Sequence, residues 1–197
     1  MSSYANRGKA WEQLLEMYHA RYEANGTAVV IRTPPNMRIL RSLRGGQFVA
    51  VYEKEGPPDY MLLCDGLAVM VEAKEAKGDR WPLQNLKPHQ AMRMSLWRKQ
   101  GGEAVVVLRH HKSSTAWVIP WEKLAPVWNG WYARRKLGKK ASSGTASLDL
   151  SKISRLGFSF GRDGYLEVLK SSLSQERRKQ SAIQENNLGN EGKQSEK

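Results

Sequence analysis

Residues 59–74 read DYMLLCDGLAVMVEAK, which is two apolar runs separated by Asp65-Gly66. An Asp-Gly pair between two such runs is a strong signal for a β-hairpin with a two-residue turn. The pairing register follows by counting outward from this turn, and it places Asp59 directly opposite Glu72. The stretch therefore predicts a hairpin with two carboxylates side by side at its open end.

The two carboxylates are unfavourable neighbours unless a positive charge lies between them, because like charges opposed in a sheet destabilise it. Alternation along the strand puts Lys74 on the same face as Glu72 and diagonal to Asp59. Oxygen ligands without His or Cys favour Mg²⁺ or Mn²⁺. A divalent cation is the obvious candidate, and an ammonium beside it can hold a hydroxide or stabilise the charge that develops on a phosphate.

An isolated Glu-x-Lys on a strand is most often a solvated surface, and an Asp before a hairpin is most often a turn residue. The combination is more specific, since Pro58-Asp59 and the hairpin are followed by Glu72-Ala73-Lys74 after five apolar residues. This order is typical of PD-(D/E)xK nucleases. We therefore predict an α/β fold in which a restriction-endonuclease-like mixed β-sheet is flanked by helices.

The composition favours a nucleic-acid partner. The chain has 197 residues, with 32 Lys and Arg against 19 Asp and Glu and a net charge of +13, which suits a polyanion. No apolar run approaches the roughly 20 residues that span a bilayer, and residues 1–7 lack the apolar run of a secretion signal. The single cysteine, Cys64, cannot form an internal disulfide. We expect a cytoplasmic protein with no membrane partner.

Two predicted helices contribute polar residues near the hairpin. The first covers residues 3–24 and carries Glu12 at the border of its apolar face, from which Glu12 can look toward Asp59. The second begins at Pro88, runs to about Gln100 and has Gln90 in its first turn. Taken alone, Glu12 would be an ordinary exposed residue and Gln90 would be unremarkable. Other apolar runs complete a predicted five-stranded mixed sheet: 27–32, 104–109 and 116–121.

Two basic segments are candidates for contact with phosphate. Residues 36–56 are interpreted as a partly extended insertion, a basic stalk that projects between the first strand and the hairpin and carries Arg38, Arg41 and Arg44. The alternative is a core strand at 47–52. Residues 133–145 are interpreted as a basic flexible loop, with a solvated linker as the alternative. Its candidate DNA-binding residues are Arg134, Arg135, Lys136, Lys139 and Lys140.

The domain organisation follows from the distribution of apolar residues. Residues 1–170 have the length and apolar content of one domain. From about 171 to 197 the chain is rich in Ser, Gln, Asn, Glu and Lys and poor in apolar residues. We predict that this C-terminal segment is a disordered polar tail.

The order of these residues resembles the RecU-type Holliday junction resolvases, a family within the PD-(D/E)xK nucleases. The resemblance covers most of residues 6–109. It rests on six short motifs: Asn6-Arg7-Gly8 with Glu12, Thr33-Pro34-Pro35, Asp59-Tyr60, Glu72-Ala73-Lys74-Glu75, 82–86 (PLQNL) and His89-Gln90.

The resemblance implies a metal-dependent active site. Asp59 and Glu72 would bind Mg²⁺, with Mn²⁺ able to substitute, and Glu12 would complete the acidic cluster as a third metal ligand. Lys74 would assist the attacking water, and Gln90 would be a polar active-site residue. Catalysis is thus assigned to all five residues. Arg7 is added to the candidate DNA-binding residues.

The resemblance also implies a homodimer that cuts four-way DNA junctions symmetrically, with a stalk that enters the junction. Pro58 departs from the family, whose better-known members carry a hydroxyl residue at that position. Two alternatives stay open at this point. One is a PD-(D/E)xK nuclease of other specificity, of restriction or repair type. The other is a DNA-binding accessory protein in which the site is a relic.

Overall fold

The computed structural model describes residues 4–53, 55–137 and 146–175, and its centre is a mixed β-sheet. The strands are β1 Val29–Arg32, β2 Met37–Ser42, β3 Phe48–Tyr52, β4 Tyr60–Cys64, β5 Leu67–Ala76, β6 Arg80–Pro82, β7 Glu103–His110, β8 Thr115–Pro120, β9 Ser147–Asp149 and β10 Phe158–Phe160. The helices are α1 Tyr4–Ala24, α2 Pro88–Lys99, α3 Trp121–Leu137 and α4, which covers 165–175.

The central sheet has six strands in the order β1-β4-β5-β7-β8-β10. Only β5 and β7 run parallel, and α2 makes the crossover between them. The other neighbours are antiparallel. The predicted count of five strands was wrong by one, because β10 has three residues and becomes a strand only by pairing with β8.

The hairpin of β4 and β5 has the predicted register, from Cys64 paired with Leu67 to Tyr60 paired with Val71. Its turn residue Asp65 has φ 48° and Gly66 has φ 76°, the left-handed pair that a type I′ turn requires. Asp59 is the residue just before β4. The turn therefore brings it to the part of β5 that carries the catalytic candidates.

Helices cover both faces of the sheet and create two apolar cores. On one face, Trp11 and Leu15 of α1 and Leu166 of α4 pack on the sheet. On the other face, Met94 of α2 and Leu124 of α3 do the same. This arrangement is the predicted mixed sheet flanked by helices. Among the helices in the described ranges, none has the length and apolar content needed to cross a membrane.

Strands β2 and β3 pair only with each other and form a separate two-stranded hairpin. Its apolar side chains face outward, with Ile39 58% and Phe48 52% exposed. Residues 37–52 therefore lie outside the central sheet, within the segment predicted as the stalk. The alternative of a core strand at 47–52 is wrong, because β3 does not join the central sheet.

The C-terminal third is more helical than predicted. Helix α3 continues to Leu137, so Arg134, Arg135 and Lys136 lie in its last turn and not in a flexible loop. The rest of the predicted loop, with Lys139 and Lys140, lies outside the described residues.

Helix α4 extends past the predicted domain boundary at residue 170. It continues to at least 175, and Ser172 is buried on it. The remainder of the predicted tail, residues 176–197, lies outside the described residues.

Candidate active site

Glu72 is a carboxylate held inside the protein by β5, with only 1% of its surface exposed. Its Oε2 accepts hydrogen bonds from Gln90 Nε2 at 2.7 Å and from Lys74 Nζ at 3.1 Å. Burial raises the pKa of Glu72 to about 7. The Lys74 ammonium acts in the opposite direction, and the nearby Asp59 carboxylate raises the pKa further. The protein thus compensates the charge of ionised Glu72 only in part.

Asp59 is fixed by backbone contacts on both sides. Its carbonyl accepts a hydrogen bond from the Thr33 amide at 3.1 Å, and its carboxylate Oδ2 accepts one from the Ala73 amide at 2.8 Å. The second bond ties the carboxylate to β5, directly beside Glu72. The predicted neighbourhood of Asp59, Glu72 and Lys74 is therefore present in the structure.

Gln90 connects the start of α2 to this group. Its Oε1 accepts a hydrogen bond from the Lys87 amide at 3.0 Å, while its Nε2 donates to Glu72. The side chain thus stabilises the first turn of the helix and holds a buried carboxylate at once. The sequence signal was the helix start at Pro88, which gave the position of Gln90 but not its partner.

Four of the candidate residues line a cleft of about 800 Å³: Glu12, Asp59, Lys74 and Gln90. Glu72 is buried and is hydrogen-bonded to two of them, Lys74 and Gln90. Glu12 lies further out than the others. Its side chain is 53% exposed and accepts a hydrogen bond from Arg32 Nη2 at 3.2 Å. Within the described ranges, no three His, Cys, Asp or Glu side chains come together as a metal site. Glu12 therefore shares the cleft without joining a three-carboxylate cluster.

Two charged residues of the cleft, Arg32 and Glu75, were not assigned a role in the site from the sequence. Arg32 ends β1, pairs in the sheet with Tyr60 and so lies next to Asp59. Glu75 also lines the cleft, and its Oε1 lies 3.0 Å from Nε2 of His111. Pro34 and Pro35 end the first strand in the sequence, and this signal could have indicated that Arg32 lies at the strand end. The partner of Glu75 comes from the β7–β8 turn, which is remote in sequence.

The candidate DNA-binding residues within the described ranges lie on three elements: the projecting hairpin, the end of α3 and the start of α1. Arg38, Arg41 and Arg44 are exposed on the projecting hairpin. At the end of α3, Arg135 is exposed and stacks over the Trp131 ring at 5.6 Å. The side chain of Arg7 lies outside the described part of the chain, although its backbone belongs to α1.

The donor set fits a hard divalent cation. Hydrogen bonds within the protein engage Oδ2 of Asp59 and Oε2 of Glu72. Two adjacent carboxylates without His or thiolate match the oxygen preference of Mg²⁺ and Mn²⁺. Burial raises the pKa of Glu72, and a cation bound beside it would act in the opposite direction by favouring the ionised form.

Three known proteins that are similar to this chain share one description. Holliday junction resolvase RecU of Bacillus pumilus (strain SAFR-032) is 29% identical over 177 residues, covering 86% of this chain and 83% of that protein. The protein of that name from Listeria welshimeri is 27% identical over 177 residues, covering 86% and 84%. The one from Streptococcus pneumoniae (strain Taiwan19F-14) is 25% identical over 182 residues, covering 87% and 86%.

Among solved structures, Hjc of Archaeoglobus fulgidus, a Holliday junction resolvase, matches with a TM-score of 0.44 and 14% identity, covering 76% of this chain and 93% of that chain. A family model described as Recombination protein U matches residues 6–163. The match confirms the resemblance noted in the sequence and includes the hairpin, the cleft and the projecting insertion. This chain belongs to the Recombination protein U (RecU) family.

Proposed function

We propose that this protein is a Holliday junction resolvase, an endonuclease that hydrolyses phosphodiester bonds symmetrically in four-way DNA junctions. The observation that carries the proposal is the group of Asp59, Glu72 and Lys74 at the open end of the hairpin. Asp59 and Lys74 border the cleft, and buried Glu72 is hydrogen-bonded to Lys74. The names of the related proteins support the same substrate.

Asp59 and Glu72 are the proposed ligands of Mg²⁺, with Mn²⁺ able to substitute. When bound, such a cation compensates phosphate charge and makes water more acidic. Glu12 is the proposed third acidic residue, because its carboxylate faces the same cleft from α1. Its contact with exposed Arg32 leaves it on the surface, where it can act on water or on an ion.

Lys74 is proposed to orient the attacking water and to stabilise negative charge on the reacting phosphate. Its Nζ is 3.1 Å from Glu72 Oε2 and its side chain is only 15% exposed, which holds the ammonium beside the carboxylates. Gln90 donates to the same oxygen and thereby keeps Glu72 from rotating. These contacts pre-organise the charges before the DNA binds.

The basic residues are proposed to hold the phosphate backbone. Arg38, Arg41 and Arg44 on the hairpin would contact the arms near the crossover. Six further basic residues are proposed for the same role: Arg7 in α1, Arg134, Arg135 and Lys136 in the last turn of α3, and Lys139 and Lys140, which lie outside the described residues. Contacts to phosphate carry little sequence information, so binding should depend on DNA shape and on salt.

A homodimer is proposed because two equivalent strands must be cut. An exposed apolar strip at the sheet edge supports it, since Val29 is 59%, Ile31 54% and Leu63 53% exposed on one face of β1 and β4. A two-fold axis through this strip would supply one active site for each strand. The DNA substrate implies action in the cytoplasm of a bacterium or of a phage-infected cell.

The test is cleavage of a labelled synthetic four-way junction beside linear duplex and single strand of the same sequence, with Mg²⁺ or Mn²⁺. We expect paired nicks in the junction only, and their loss in Asp59→Asn. Equal cutting of linear duplex would instead indicate a nuclease of restriction or repair type. Junction binding without cleavage by either metal would indicate a DNA-binding accessory protein.

A further inference from the structure

The projecting hairpin joins the chain through a short stem that leads directly to the catalytic residues. The Glu53 amide donates to the Asn36 carbonyl at 2.9 Å, and Asn36 Nδ2 donates to the Glu55 carbonyl at 3.3 Å. These bonds close the base of the hairpin. Three residues after Gly56, the chain reaches Asp59, so a change in the direction of the stem begins close to that carboxylate.

The stem lies against helix α2. Gly56 borders the catalytic cleft together with His89 and Gln90. On its other side, Glu55 borders the groove between α2 and α3, which His89 also lines. Arg93, a partly buried residue of α2, donates from Nη1 to the Gly56 carbonyl at 3.0 Å.

The same helix holds the catalytic carboxylate. Gln90 lies three residues before Arg93, which puts both side chains on one face of α2. Gln90 donates to Glu72, whereas Arg93 donates to the stem. One rigid helix therefore contacts both the buried carboxylate and the base of the hairpin.

We propose that Arg93 is a positioning residue that fixes the direction of the projecting hairpin relative to the catalytic carboxylates and so determines which phosphate is cut. This inference rests on the proposed function and deepens it. The position of the cut then depends on the contact between Arg93 and Gly56, as well as on the arginines of the hairpin.

The geometry makes small changes at the stem important. A strand as long as β2 reaches roughly 20 Å at 3.3 Å per residue. A tilt of about 10° at the stem moves the tip by roughly 3 Å, close to the rise per nucleotide along the axis of a duplex. A tilt of this size would therefore change the phosphate presented to the site.

The first measurement maps nicks at nucleotide resolution in a junction with an immobile crossover. Arg93→Met removes the donor and keeps a side chain of similar length, whereas Arg93→Lys restores one donor. We expect Arg93→Met to spread the nicks over at least two neighbouring phosphates and Arg93→Lys to narrow them again. The matched control is Lys99→Met at the other end of α2, where Lys99 is exposed, and it should cut as the wild type does.

The second measurement does not depend on cleavage. In a Cys64→Ala background, spin labels are attached at Ser42→Cys on the hairpin and Met17→Cys on α1, and the distribution of distances between them is measured. Unlabelled protein is added to suppress distances between labels on different copies of the chain. We expect Arg93→Met to broaden the distribution and Arg93→Lys to restore its width. An unchanged distribution in Arg93→Met would overturn the inference, whatever the nick pattern.

The two proposals fail separately. If the wild type cuts no junction, the proposed function is wrong, while the distance measurement still decides whether Arg93 fixes the hairpin. If the wild type cuts junctions and Arg93→Met leaves both the nick position and the distance unchanged, only the role of Arg93 is overturned.

Discussion

The buried position of Glu72 destabilises its ionised form, because a carboxylate that is 1% exposed has lost nearly all its hydration. Hydrogen bonds from Lys74 and Gln90 to Oε2 offset part of this desolvation free energy. Asp59 adds repulsion, so the pKa of Glu72 rises to about 7. A pKa perturbed by burial and by a neighbouring carboxylate is typical of a functional carboxyl group.

The raised pKa predicts how stability depends on pH in metal-free protein. At low pH Glu72 is protonated in both the folded and the unfolded chain. As pH rises from the ordinary pKa of 4.5 to about 7, only the unfolded chain releases the proton, and the folded state loses stability. We expect Glu72→Gln to abolish this loss, which amounts to about 3 kcal/mol.

The measurement is urea unfolding of the wild type and Glu72→Gln at pH 4 and pH 8 in the presence of a chelator. Relative to the wild type, the variant should gain stability between the two pH values. Glu167→Gln is the matched control, because its side chain is 57% exposed. A parallel pH dependence of the wild type and Glu72→Gln would contradict the burial of an ionisable Glu72.

At this scale the sequence predicted the part of the site that one turn controls. Counting outward from Asp65-Gly66 predicted that Asp59, Glu72 and Lys74 lie together, because the turn fixes which residues of the two strands face each other. It did not give Arg32, whose place depends on the pairing of β1 with β4. Long-range pairing leaves no local signal in a strand of four residues.

The projecting hairpin is the element that most clearly serves binding and not stability. Its strands pair only with each other and its residues 37–48 are all exposed. Substituting its side chains should therefore leave the apolar cores unchanged, which makes the contribution of its charges measurable without loss of the fold.

Replacing Arg38, Arg41 and Arg44 by Ala should weaken junction binding and reduce its salt dependence. Each lost phosphate contact lowers the slope of log K against log salt by about 0.9. We expect the slope to fall by up to roughly 3 when all three contacts are lost. Binding titrations between low and high salt measure it.

Thermal unfolding of the triple variant should match that of the wild type. A single variant, Arg38→Ala, should also lower the salt slope. Its control is Arg155→Ala, which removes an exposed arginine from the 3₁₀ turn 150–155 and should leave the slope unchanged. An unchanged salt slope in the triple variant would mean that the hairpin does not contact phosphate.

Elements with strong local signals were predicted well, and those shaped by packing were not. Helix α2 has Pro88 at its start and Gly101, at φ 88°, just after its end. The end of α3 looked like a loop because its residues are basic. Its helix persists because Trp128 and Trp131 are buried one turn earlier, an effect of tertiary packing that composition does not show.

The whole molecule presents an apolar strip at the free edge of its sheet, where Val29, Ile31 and Leu63 are each more than half exposed. Such a patch at an unpaired edge strand is costly for an isolated chain and is typical of an interface. We therefore place the interface of the proposed dimer at this strip, and introducing one charged side chain there can test it.

Ile31→Lys should convert the proposed dimer to a monomer, because the interface would have to bury a charged side chain in an apolar strip. Sedimentation velocity measures the change. On a junction, the monomeric variant should make unpaired nicks, whereas the proposed dimer should make paired ones.

Met17→Lys is the matched control, since Met17 is an apolar residue of α1 that is 69% exposed. This variant should sediment as the wild type does. A dimer that persists in Ile31→Lys would place the interface elsewhere on the molecule.

The hairpin of β2 and β3 is inserted between β1 and β4, two strands that are already hydrogen-bonded neighbours. Residues can therefore be added to it or removed from it without moving a rung of the central ladder. We expect natural variants of this protein to differ most in length between residues 37 and 52, and the distance from active site to crossover to change in evolution by insertion and deletion while the core stays the same.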